Sequence, residues 1–243
     1  MLDHPSVKER RAIAKEHAPP NFYGEVRATL AKFRCKCEER ARDFEAARLE
    51  AANLPHSYDP EEYRTFRNFE GTTENSDLYA AAEAFAYGNM EEHILLLVGA
   101  FGCGKSHILE AVGRYWLSQR RTVRYEMVGD MLEAFRHTFA DPQARDIFTW
   151  LNWYKAQDLL LLDDLGMEKA TDWTIEKIVQ IIDDRLRDGR LTVITTNNTK
   201  KDMEAVVGPR LTSRLYPTNR DLGEVRFITT GAPSWRDRKG AKA

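Results

Sequence analysis

Between residues 93 and 197 the chain sets short apolar runs against amphipathic helical stretches in alternation, which restricts the fold more than any other feature. "HILLLVGA" has the composition of a strand, "GKSHILEAVGRYWLSQ" of a helix, "TVRYEMV" of a strand and "GDMLEAFRHTF" of a helix. After an aromatic-rich stretch the pattern resumes with the strand "DLLLLDD", the helix "WTIEKIVQIIDDRLRDG" and the strand "LTVITTN". Strands that alternate with helices specify a parallel sheet with crossover helices. The four leucines 159–162, set between polar flanks, suit a strand buried on both faces, as strands inside a parallel sheet are. The expected class is therefore α/β, a central parallel sheet flanked by helices.

The first strand runs into "GAFGCGKS", Gly99 to Ser106, which fits G-x-x-x-x-G-K-[ST] in the strand-to-helix context that motif needs. Gly99, Gly102 and Gly104 let the backbone turn tightly and bring its N–H groups close to phosphate oxygens. The helix N-terminus adds its dipole, Lys105 a point charge for the β- and γ-phosphates, and Ser106 a hydroxyl for Mg²⁺. Cys103 beside Gly104 is sterically acceptable in such a loop. The expected ligands are ATP and Mg²⁺.

Two aspartates, Asp163 and Asp164, follow the four leucines. Alone they could merely open a turn completed by Gly166. About 60 residues after a P-loop they acquire another meaning, because a strand ending in an acid is where such proteins hold Mg²⁺. Asp163 takes the metal, and Asp164 can orient and deprotonate an attacking water. "VITTNN", residues 193–198, is a strand ending in amides: a γ-phosphate or water contact, or a turn cap. In "GPRLTSRLYP", Arg210 and Arg214 stand four residues apart and share a face on a helix, where one could reach a neighbouring subunit's nucleotide as an arginine finger.

The N-terminal third is of another kind. From about Gly24 to Ala52, Val26, Leu30, Phe33, Cys37, Ala41 and Phe44 recur every three or four residues, one stripe of a long helix. The stripe needs a cover, either a shorter helix from residues 5–17 or a partner protein. We divide the chain into a helical domain 1–55, a linker 56–65 and an α/β domain 66–243. Cys35 and Cys37 with His17 or His56 make a poor zinc site, since C-x-C spacing on a helix turns the two sulfurs apart.

Composition supplies limits. The 243 residues carry 38 acidic and 36 basic side chains, so net charge announces neither a nucleic-acid binder nor a membrane-surface protein. No apolar segment approaches the roughly 18 residues that span a bilayer, and the N-terminus lacks the apolar core of a signal peptide. Three cysteines form no disulfide framework, so a cytoplasmic location without membrane contact is expected. Residues 134–157 interleave aromatics with Arg136, Arg145 and Lys155, which would suit either a stacking platform for single-stranded DNA or core packing.

From about Tyr63 to Arg238 the chain resembles the DnaC/DnaI-type helicase loaders of the AAA+ ATPases, a group that also includes the IstB transposition helpers. The resemblance rests on "TFRNF", "GAFGCGKSH" with His107 after the P-loop, "LLLLDDLG" followed by "EKATDW", "VITTNN", "RLTSRL" and "GAPSWR". It implies a sensor 1 asparagine at Asn197, an arginine finger at Arg214 with Arg210 as fallback, and a sensor 2 arginine at Arg236. It also implies an Mg-dependent ATPase that assembles into an ATP-dependent spiral oligomer and engages single-stranded DNA, with Arg136 and Lys155 as candidate contacts. Its N-terminal domain would grip a DnaB-type replicative helicase, and hydrolysis would release the loader. The alternative is an IstB-like helper that polymerises on duplex DNA and acts on a transposase. Many AAA+ proteins have Asp-Glu where this chain has Asp163-Asp164, one methylene shorter at the second acid; slow hydrolysis, suited to a switch, is the expected consequence.

Overall fold

The structure is a computed structural model that describes residues 47–55, 63–140, 146–166, 171–217 and 224–235. The chain divides into two units, Met1–Ala47 and Arg48–Ala243, and nearly all described residues belong to the second. The apolar stripe through Phe44, the cysteine pair with its two histidines, most of the linker, Arg145 and Arg236 lie outside the described residues.

Five strands form one parallel sheet: β1 (Ile94–Gly99), β2 (Val123–Met127), β3 (Leu159–Asp163), β4 (Leu191–Thr196) and β5 (Val225–Thr230), in the order β2-β3-β4-β1-β5. The helices are α1 (Ser76–Ala86), α2 (Lys105–Ser118), α3 (Val128–Ala140), α4 (Ile147–Ala156), α5 (Asp172–Arg187) and α6 (Lys200–Leu215). Every residue of β1 and of β3 is buried, as their unbroken apolar runs require.

Strand side chains alternate between faces, so the sheet feeds two separate cores. Ile94, Leu96 and Val98 join Leu160 and Leu162 on one face, beneath Phe135 of α3, Tyr154 of α4 and Ile178, Ile181 and Ile182 of α5. Leu95, Leu97, Leu159 and Leu161 face the other way, beneath Leu78 and Phe85 of α1 and Ile108, Leu109 and Val112 of α2. Residues 47–52 are helical, and Ala52 and Leu54 belong to this second core. Asn53 reinforces them, its side-chain amide donating to the Tyr125 carbonyl at 3.0 Å.

The described part of the aromatic stretch 134–157 resolves mostly into packing. Phe135 and Tyr154 are fully buried, while Trp150 and Trp153 lean on the same core. Phe148 stays 66% exposed. Helix α6 is broken at Gly208, whose φ of 78° is open to glycine and costly to other residues, with Pro209 next in line. Arg210 and Arg214 therefore ride together on the short helical segment beyond the kink.

Candidate nucleotide-binding site

Open α/β sheets bind ligands beyond the carboxyl ends of their strands, where the strand order reverses. Here β1 leads away to the far edge of the sheet, so the ends of β1, β4 and β3 lie side by side with the P-loop at one end of the row. A cavity of about 540 Å³ opens there, lined by the loop and by Asp163, Asp164 and Asn197, with Arg64, Phe69 and Trp235 at its flanks.

The loop geometry follows from its glycines. Gly104 caps α2 with φ 106°, and a Cβ there would lie 2.8 Å from the Phe69 ring. Any side chain at 104 is thus both strained and obstructed. We expect Gly104→Ala to abolish nucleotide binding at a concentration saturating for the parent, with the fold retained by circular dichroism. The chain after β5 braces the loop from outside, where the Trp235 N–H donates to the Gly102 carbonyl at 2.8 Å.

Lys105 is 95% buried, and its ammonium donates to the Gly99 and Ala100 carbonyls at 2.9 Å each. It also donates to Asn197 Oδ1 at 2.7 Å, and the same amide's Nδ2 donates to Asp164 Oδ1 at 3.0 Å. One side chain at the end of β4 thereby joins the P-loop cation to the second acid. The two asparagines of "VITTNN" divide the alternatives between them: Asn197 takes the site, while Asn198 donates to the Gly166 carbonyl at 2.8 Å and closes the turn.

Asp163, buried at the end of β3, accepts from Ser106 Oγ at 3.1 Å. A hydroxyl and a carboxylate so juxtaposed are hard oxygen donors of the kind Mg²⁺ takes, and the P-loop beside them suits a triphosphate, so the residues present fit both groups. Asp164 is held in the left-handed region at φ 59°, with its N–H donating to Thr195 Oγ1 at 2.9 Å. Non-glycine residues adopt that conformation at a cost, and such strain gathers at functional sites.

His107 also lines the cavity; its Nε2 lies 2.9 Å from the Thr65 carbonyl and its ring meets Phe69 edge-on at 5.2 Å. Burial draws its basicity down. Glu110, one turn further along α2, is buried and pairs with Arg64 at 2.6 Å and Arg114 at 3.7 Å. Burial pushes its carboxyl up, against the pull of both guanidiniums. These contacts tie the segment 63–69 to the P-loop helix.

The other candidate side chains lie further from the loop. Arg214 pairs with Asp183 of α5 at 2.9 Å, a hydrogen-bonded contact that strengthens its hold on its proton. Arg210, 61% exposed, lies 3.8 Å from Glu176. Arg136 pairs with Glu133 at 2.8 Å on α3, and Lys155 with Asp184. Two residues that sequence reasoning does not reach, Tyr125 and Thr195, both donate to Asp163, Tyr125 at 2.7 Å. A signal for Thr195 exists in the sequence, since it belongs to "VITTNN", the strand whose end carries polar groups to the site.

A parallel sheet of this order, with a P-loop after β1 and an acidic pair at the end of β3, defines an ATP-binding fold of the AAA+ type. The chain belongs to the family described as IstB-like ATP binding protein, whose model matches residues 30–243. It is 31% identical over 159 residues to the chromosomal replication initiator protein DnaA of Zymomonas mobilis, covering 64% of this chain and 32% of that protein. It is 29% identical over 140 residues to the replicative helicase loader DnaC of Buchnera aphidicola, covering 57% of this chain and 54% of that one. The chain thus spans about a third to a half of the length of these curated relatives. A crystal structure of the DnaC helicase loader matches with a TM-score of 0.57 at 20% identity, over 69% of this chain and 96% of that one, a likeness of fold. No helix among the described residues is long and apolar enough to cross a membrane.

Proposed function

We propose that this protein is an ATP-driven loader that places a DnaB-type replicative helicase on single-stranded DNA, with ATP binding and hydrolysis as its assembly and release switch. The observation that carries the proposal is the Asn197 bridge between Lys105 at 2.7 Å and Asp164 at 3.0 Å. A terminal phosphate drawing Lys105 toward itself takes that cation from Asn197, and the amide turns its freed oxygen to the phosphate or the attacking water. Occupancy by a triphosphate is in this way communicated to the residue that acts on water.

In the reaction, the N–H groups of Gly102 to Ser106 and the ammonium of Lys105 bind and orient the phosphates. Ser106 and Asp163 would hold Mg²⁺, which supplies positive charge at the β- and γ-phosphate oxygens. Asp164 accepts the proton of the attacking water, and Asn197 aligns that water with the γ-phosphate. Arg214 acts across a subunit boundary as the arginine finger, exchanging Asp183 for the neighbour's nucleotide, and Arg236 serves as the sensor 2 arginine. DNA meets the α3 and α4 surface through Arg136 and Lys155. The N-terminal region 1–55 grips the helicase.

The relation to the loader DnaC supports this reading, and the family's own description keeps a second one in play, an ATP-dependent transposition helper that polymerises on duplex DNA. One experiment separates them. Mixed with the replicative helicase of its source and ATP, the protein should form a complex measurable by light scattering and load the helicase on single-stranded DNA. Absence of a complex at micromolar concentration, with ATP-dependent filaments on duplex DNA instead, selects the second reading. A further expected result concerns Arg214→Ala: ATP turnover should fall about 10³-fold at concentrations where the parent oligomerises, with nucleotide affinity of the dilute protein unchanged. Lost affinity in the dilute protein would instead show that Arg214 serves its own subunit.

A further inference from the structure

The Asp163 carboxylate is surrounded by more hydroxyl groups than a P-loop supplies. Its Oδ1 accepts from Ser106 Oγ at 3.1 Å and from Thr195 Oγ1, while Oδ2 accepts from the Tyr125 hydroxyl at 2.7 Å. Tyr125 comes from β2, the edge strand beside β3, and its ring is buried on the α2 side of the sheet. The sulfur of Met127, 3.4 Å from the same hydroxyl, is a weak acceptor beside a carboxylate. Resting on the reading of Asp163 as a metal ligand, we infer that Tyr125 is a positioning residue that anchors Oδ2 and thereby holds Oδ1 toward Ser106 and the metal.

A carboxylate at the end of a strand can turn about χ2 with little resistance, because that torsion is broad. Thr195 and Ser106 share Oδ1 and restrain one end only. The Tyr125 hydroxyl pins the other end and fixes the carboxylate plane. Thr195 has a separate duty, since its oxygen also accepts the Asp164 N–H and holds that residue in its left-handed turn. Among the described residues the Tyr125 hydroxyl bonds to the Asp163 carboxylate and to neither Asp164 nor Lys105, so its loss should weaken metal binding selectively.

Tyr125→Phe keeps the ring and removes the hydroxyl. Binding of a fluorescent ATP analogue should be titrated first in EDTA and then with rising Mg²⁺, for parent and variant, alongside thermal unfolding of each. A positioning role entails unchanged affinity in EDTA, a similar unfolding midpoint, and a Mg²⁺ concentration for half-maximal enhancement raised about tenfold, as loss of one hydrogen bond to a charged group implies. A variant with the parent's Mg²⁺ response overturns the inference alone and leaves Tyr125 as packing. An equal loss of affinity with and without Mg²⁺, or a variant that does not fold, also overturns it in favour of a structural role. A parent whose affinity ignores Mg²⁺ overturns the metal reading of Asp163 and this inference with it.

Discussion

Asp164→Asn should lower ATP turnover by about 10²–10⁴-fold while leaving nucleotide affinity within about twofold of the parent, the range a positioned general base contributes. The substitution preserves size and the chance to pair with Asn197, but an amide cannot take a proton from water. Because Asp164 contacts Asn197 and has its backbone tied to Thr195, the isosteric change leaves the left-handed turn undisturbed. Single-turnover hydrolysis measured beside equilibrium binding checks it. Unchanged turnover would assign the base elsewhere; an equal loss of binding would mean that Asp164 shapes the pocket. Asp164→Glu is informative in the opposite direction. Restoring the missing methylene should raise the rate if the short acid is what makes this site slow.

The second large effect concerns stability. Arg185 is 1% exposed, yet among the described residues its guanidinium donates to no carboxylate. It donates instead to the carbonyls of Tyr154 at 2.7 Å, Gln157 at 2.8 Å and Leu191 at 2.5 Å, and to the Thr192 hydroxyl at 3.0 Å. One buried side chain thus satisfies the C-terminal carbonyls of α4 and the first residues of β4. Burial draws its pKa down to about 9, so it remains cationic at neutral pH. Arg185→Leu keeps apolar volume and abandons those acceptors, each of which costs about 1–3 kcal/mol when buried without a partner. A loss of at least about 3 kcal/mol is expected, which lowers the thermal midpoint of a domain this size by about 6–12 °C. An unchanged midpoint by differential scanning calorimetry would show that water reaches these carbonyls. Nucleotide binding at low temperature should survive, since none of these groups belongs to the site.

The parallel sheet is legible in the sequence because buried strands leave apolar runs, as β1 and β3 do, while β4 is marked by the β-branched residues of "LTVITT". Strand β5 is not. "VRFITT" is an edge strand with an exposed Arg226, and its mixture of polar and apolar residues resembles a loop approaching "GAPSWR". Helix α1 is hidden for a related reason. Its alanines give little contrast between faces, whereas Leu78, Ala82 and Phe85 are what the core uses. At the site, Lys105, Ser106, Asp163, Asp164 and Asn197 are brought together, because chemistry at a strand end prescribes residue types there. Tyr125 cannot be found that way: whether an alternate residue of β2 reaches Asp163 depends on strand order, and adjacency of β2 to β3 is a tertiary fact. The ion pairs of Arg214 with Asp183 and Lys155 with Asp184 likewise depend on how α4, α5 and α6 pack, which spacing along one helix does not reveal.

The most direct test of the switch is the lifetime of the complex with the replicative helicase, measured by mass photometry in ATP for the parent and for Asp164→Asn. An ATP-driven release switch predicts an ATP-dependent complex that disperses as the parent hydrolyses its nucleotide and persists with the variant. A complex that forms equally without ATP, or one that disperses equally fast from the variant, would contradict it.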